Sequence, residues 1–182
     1  LPLPKSGVVM GLDLSSTGTG IGIFRMDGTL IHGETVNTGK EMGIRRLTLI
    51  RDRVIEVAKK YQPIDTVAKY FGVAKGAGSL QIVWLHGIVI TALAESGFAP
   101  PMYIAPSSLK KLSTGDGFAD KKVMSDALRV LTKTTYENDN TVDACWLAYW
   151  LTRWYSWRRS NDGFNAYENM TFEKMKRSIG AL

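Results

Sequence analysis

Two groups of side chains in this sequence have the types and spacing for metal-assisted chemistry on phosphate esters. Asp13 ends an apolar run, Val8-Val9-Met10-Gly11-Leu12, and precedes the small residues Ser15-Ser16-Thr17-Gly18-Thr19-Gly20. A strand end holds such a carboxylate rigidly, and the turn leaves room for a phosphate, which suits a hard cation. A turn-capping aspartate fits the same pattern. The second group is Asp139, Asn140 and Asp143. Near a helix start, spacings of three and four put Asn140 and Asp139 on one face with Asp143. Two-metal phosphodiester hydrolysis needs several carboxylates converging on ions about 3.5–4 Å apart, and Asp13 with Asp143 would form the core of such a centre. The competing reading makes Asp139 or Asn140 an N-cap and has Asp143 complement the helix dipole.

A third group lies between them in the chain. The segment from Pro106 to Val123 places two lysine pairs, Lys110-Lys111 and Lys121-Lys122, around Thr114-Gly115-Asp116-Gly117. Ammonium groups and loop amides in this arrangement suit a nucleic-acid backbone. A solvated basic surface satisfies the charge pattern equally well. Tyr70 and Phe71 serve either as stacking platforms for bases or as core aromatics of a strand. His86, in an apolar stretch, reads as a core or interface histidine and His32 as a strand surface residue, and neither has metal-ligand spacing. The single Cys145 excludes an intramolecular disulfide framework and a Cys-rich zinc site, and it fits a reducing compartment.

These residues need elements to position them. Val8 to Leu14, Ile21 to Arg25 and Thr29 to Val36 read as three antiparallel strands, the last two joined by a hairpin at Asp27-Gly28. Ile44, Leu47, Ile50, Val54, Val57, Ala58 and Tyr61 form one stripe of a helix that ends before Pro63. Asp65 to Phe71 is a fourth strand. Gly76-Ala77-Gly78 reads as a loop, and Ser79 as the cap of a helix running to about Ser96. That helix is apolar nearly all round, which calls for burial by the sheet on one side, with a second subunit as one option for the other. Met102 to Ile104 is a short fifth strand. A short helix follows from Pro106 to about Leu112, then one from about Ala119 to Leu131. The last starts near Asn140 and carries Trp146, Trp150, Trp154 and Trp157 on an aromatic stripe, read as packing rather than a binding platform.

Composition bounds the whole. At 182 residues the chain suits one domain. Hydrophobic residues at 45% and charged residues at 22% exclude wholesale disorder. The formal charge of +6 permits a polyanionic partner. No apolar run reaches the roughly 18 residues of a membrane span. The start, Leu1-Pro2-Leu3-Pro4-Lys5, does not resemble a signal peptide, so a cytoplasmic location is expected. The expected division is 1–6 as a flexible N-terminal segment or cloning remnant, 7–158 as the domain that carries the candidate residues, and 159–182 as a basic C-terminal extension. From Arg153 onward six Lys and Arg face three Asp and Glu. Arg158-Arg159 would touch phosphates, or the tail is a solvated extension or an arm over a partner subunit.

Four blocks in order carry a family resemblance. Gly11 to Gly20, Val67 to Lys75, Pro106 to Val123 and Asn140-Thr141-Val142-Asp143-Ala144 resemble the motifs of the RuvC family of bacterial and phage Holliday junction resolvases. The resemblance covers about Val8 to Leu151. It implies an α/β, ribonuclease H-like mixed sheet led by a three-stranded antiparallel meander and flanked by helices. It further implies a homodimer, a four-way DNA junction as substrate, Mg2+ (or Mn2+) as cofactor, and four acidic metal-site positions. Asp13 matches the first and Asp143 the last, and Asn140 stands at the third. Aligning Ala74-Lys75 with the family's equivalent pair puts Lys69 at the second, where the family carries glutamate. A cation there repels a divalent metal and could pair with Asp13 or Asp143 in its place; a shifted alignment would instead leave Lys69 at an exposed strand edge. No Asp or Glu between Thr66 and Ala94 replaces it. The implied DNA-contacting residues are Lys75, Lys110, Lys111, Lys121, Lys122, Tyr70 and Phe71. Residues 11–20 also resemble the phosphate-binding turn of the actin, sugar kinase and Hsp70 superfamily, which needs a second lobe that 182 residues do not provide. The expected function is a structure-selective, metal-dependent junction endonuclease impaired by Lys69, with a non-catalytic junction-binding protein as the alternative.

Overall fold

The computed structural model describes residues 3–71 and 77–179, with only the backbone described for 77–79 and 176–179. The strands are β1 (Val8–Asp13), β2 (Gly20–Arg25), β3 (Leu30–Thr35), β4 (Asp65–Lys69) and β5 (Met102–Ile104). The helices are α1 (Gly43–Tyr61), α2 (Ala77–Glu95), α3 (Pro106–Thr114), α4 (Lys121–Thr132), α5 (Asp139–Arg159) and α6 (Ala166–Ile179). The sheet order is β3-β2-β1-β4-β5. β1, β2 and β3 form the expected antiparallel meander, and β1–β4 and β4–β5 pair in parallel. This is the mixed sheet the sequence predicts.

Two cores sandwich the sheet. On one face Met10, Leu12, Ile21 and Ile23 pack against the α1 stripe (Leu47, Ile50, Val54, Val57) and Leu85, Val89 and Leu93 of α2. On the other, Val9, Phe24, Val67 and Ile104 pack against α5 and its aromatic residues. Alternate strand residues thus serve opposite layers, as the two-residue period of a strand requires.

Glycines set how close α5 comes. A side chain on Gly11 would meet the Ala144 carbonyl and the Ala148 amide, and one on Gly22 would meet the backbone of Ala144 and Cys145. Their absence lets α5 lie directly on β1 and β2, which brings its first turn over the end of β1.

Each tryptophan of the α5 stripe also donates a hydrogen bond to a neighbouring helix or its end. Trp146 Nε1 bonds the Met124 carbonyl of α4, Trp150 Nε1 bonds Ser113 Oγ of α3, and Trp154 and Trp157 bond the Phe172 carbonyl and Asn169 Oδ1 of α6. The stripe packs, as expected. It also carries a helix that periodicity did not indicate. α6 buries Phe172 and Met175 in the α5-side core, so this part of the tail is neither a solvated extension nor an arm.

Several boundaries shift. β4 ends at Lys69 rather than Phe71, though the Tyr70 amide still bonds the Ile104 carbonyl. α2 starts at Ala77, so Ser79 lies inside the helix and is not its cap. α4 starts at Lys121 behind Asp120, whose side chain accepts from the Val123 amide. No helix among the described residues is long and apolar enough to cross a membrane.

Candidate active site

β1 and β4 run parallel with Leu12 opposite Ala68, so the next residues, Asp13 and Lys69, stand side by side at the strand ends. Both point to the α5 face: Gly11, two residues before Asp13, lies under α5, and Val67, two before Lys69, belongs to the α5-side core. Asp143, one turn into α5, completes the group. Lys69 Nζ donates to Asp13 Oδ2 at 2.6 Å and to Asp143 Oδ2 at 2.8 Å. The carboxylates therefore converge on one point, and an ammonium occupies it.

Burial shapes the charges. Asp13 is 3% exposed. Desolvation pushes its carboxyl up to about 6, against the opposing pull of Lys69. Desolvation acts to lower the Lys69 value, but the two carboxylates outweigh it and hold the ammonium above its ordinary value. At neutral pH the trio is an ion-paired cluster.

Asn140, expected as a ligand, lines the cleft over the group and also bridges two elements. Its Nδ2 donates to the Gly18 carbonyl at 2.5 Å, tying the turn after β1 to the start of α5. The turn is also closed on itself, with Thr19 Oγ1 donating to the Ser15 carbonyl and accepting from the Ser15 amide. Neither Asp139 nor Asn140 caps α5. Asn138 does, its side chain accepting from the Asn140 amide. Asp139 pairs with Lys121 Nζ at 2.6 Å.

A cleft of about 220 Å³ opens over this group, lined by Lys69, Lys110, Lys121, Asp139, Asn140 and Asp143 among others. Of the expected DNA contacts, Lys110 and Lys121 reach it. Lys111 sits over the Tyr167 ring of α6, 4.4 Å from its centroid. Lys122 is exposed at the start of α4, outside the cleft lining. Lys75 lies outside the described residues. Phe71 packs on His86 with ring centroids 4.0 Å apart, whereas Tyr70 is 53% exposed. His86 is a core histidine: buried, with Nδ1 3.3 Å from the Tyr103 hydroxyl and its value pushed down to about 4 by desolvation.

The donor set does not fit a divalent cation as it stands. Among the described residues no cluster of three or more His, Cys, Asp or Glu side chains converges as a metal centre. Lys69 Nζ takes the position between Asp13 and Asp143 where an ion would bind. An ammonium has no lone pair to donate and repels a dication.

The sheet order, the layer arrangement and the acidic pair at the ends of β1 and α5 define a ribonuclease H-like nuclease fold. Residues 9–149 match the family model described as "Crossover junction endodeoxyribonuclease RuvC", and the chain belongs to that family. The enzyme of that name from Treponema denticola is 29% identical over 143 residues, covering 75% of this chain and 80% of its own. The one from Bdellovibrio bacteriovorus is 30% identical over 129 residues, covering 68% and 76%. A structure of Thermus thermophilus RuvC superposes with a TM-score of 0.66 at 25% identity, covering 84% of this chain and 96% of that one. The family depends on a divalent metal ion. The match also decides against the ATP-binding reading of residues 11–20.

Proposed function

We propose that this protein is a structure-selective endonuclease that resolves four-way DNA junctions, with its active centre held by Lys69 in an ion-paired state that cuts poorly. One observation carries the reading: Asp13 and Asp143 converge at one corner of a RuvC-family sheet, within bonding reach of a single cation. Thermus thermophilus RuvC, bound to a Holliday junction substrate in one structure, shares the fold with a TM-score of 0.70 at 24% identity.

The chain's own residues divide the work. Lys110 and Lys121 hold strand backbone at the cleft, and Asn140 positions α5 against the β1 turn. Asp13 and Asp143 would take Mg2+, or Mn2+, only once the Lys69 ammonium is out of the way. A cytoplasmic location is part of the same proposal.

Assembly belongs to the same proposal. Leu80, Val83 and Trp84 leave α2 with an uncovered apolar face, which suits a two-fold dimer that presents two clefts to opposing strands. The test is equilibrium binding of the full chain to a four-way junction and to a linear duplex of equal length, at one salt concentration. The reading expects the junction to bind tighter by at least about tenfold. Equal affinities would overturn it.

A further inference from the structure

Phe118 is the most exposed large apolar side chain among the described residues, at 94%. It stands on the loop between α3 and α4, and that loop is fixed by its own bonds. Thr114 Oγ1 donates to the Asp116 carbonyl and accepts from the Asp116 amide. The Phe118 amide donates to Asp116 Oδ1, and the Ala119 amide to the Asp116 carbonyl. Gly115, at φ +84°, ends α3 in the left-handed region that lets the chain turn back. A held backbone therefore presents a bare phenyl ring to water, which burial in a partner would relieve.

The surroundings say which partner. Lys110 of α3 and Lys121 of α4, on the two helices the loop joins, both line the cleft over Asp143. Lys122 follows in an exposed position. A bare ring on the loop that joins two helices carrying cleft-lining cations matches a strand whose phosphates run through the cleft and whose base meets the ring. In a linear duplex each base is stacked between its neighbours and unavailable. At a branch point the stack is interrupted.

From this we infer that Phe118 is a base-stacking residue that recognises an interrupted stack at the branch point of the bound DNA. The inference rests on the junction-resolving reading above and adds the element that discriminates branched from linear substrate. The ring is a specificity device and takes no part in the chemistry at Asp13 and Asp143.

The test compares the full chain with Phe118→Ala, Phe118→Leu and Phe118→Trp on a four-way junction and a linear duplex. Fluorescence anisotropy gives affinity, and 2-aminopurine at the branch point reports stacking. Phe118→Ala should weaken junction binding roughly 5- to 100-fold, the range for loss of one base–aromatic stack, and leave duplex binding unchanged. Phe118→Trp should retain affinity, Phe118→Leu should not, and the 2-aminopurine signal should lose its protein-dependent change in the alanine and leucine variants. Melting temperatures should match throughout, because the ring packs against little of its own fold. Junction preference in the parent chain that persists undiminished in Phe118→Ala overturns the stacking role and leaves the resolvase reading standing. A parent chain with no junction preference overturns both. Self-association lost in Phe118→Ala with junction affinity intact assigns the ring to protein contact and overturns the inference.

Discussion

An ammonium between two carboxylates removes the charge that draws a dication, and it also holds those carboxylates together. Lys69→Met should therefore destabilise the fold, because Asp13 and Asp143 then face each other uncompensated. Breaking a buried pair from one side costs about 3–5 kcal/mol. The Lys69 side chain is 24% exposed, so a loss nearer 1–3 kcal/mol is expected from urea denaturation at pH 7. His86 gives a second residue-scale prediction. Its folded value of about 4 lies below its ordinary 6.5, so the folded state disfavours its protonation. Its contribution to stability is complete above pH 6.5 and is lost as pH falls from there toward 4. Denaturation at pH 7 and pH 4.5 should show His86→Leu losing less stability on acidification than the parent chain. Asp13 and Asp143 were legible as candidates from local spacing alone. Their meeting at Lys69 was not, because it depends on the pairing of β1 with β4 and on α5 crossing both. Only the family resemblance anticipated it.

α5 organises the elements around the site, and its closeness to the sheet is the feature most exposed to mutation. Gly11→Ala would drive a methyl into the Ala144 carbonyl and the Ala148 amide, neither of which can move without lifting the helix. The expected cost is about 3 kcal/mol or more, at the upper end for overpacking, measured by chemical denaturation. Junction binding should fall with it, since Asp143 rides on the same helix. The strands and α1 were readable because alternation and a single apolar stripe are local signals. α6 was not. Phe172 and Met175 are spaced unremarkably, and what makes them core is the row of indole donors on α5, 18 residues from Trp154 to Phe172. The glycine shelf was equally hidden, since a glycine in a strand declares no partner until the helix is placed on it.

At the scale of the whole molecule, charge and fold act together on a polyanion. The +6 excess is spread over the chain, but only some of its lysines face the cleft. Lys110→Ala should reduce the slope of log affinity against log salt by about 0.9, the value for one phosphate contact, when junction binding is measured across a salt series. Lys111→Ala should change it little, because that ammonium sits over Tyr167. The sequence presents the two lysines as equivalent, and the packing of α6 separates them. The central claim is that a resolvase centre is assembled here and held shut by one side chain. Single-turnover cleavage of a four-way junction at saturating Mg2+ tests it most directly, comparing the parent chain with Lys69→Glu and Lys69→Ala. The account predicts weak cleavage by the parent, a rise of orders of magnitude in Lys69→Glu, and a smaller rise in Lys69→Ala, which removes the repulsion without supplying a ligand. Strong cleavage by the parent chain, unchanged in Lys69→Glu, would contradict it.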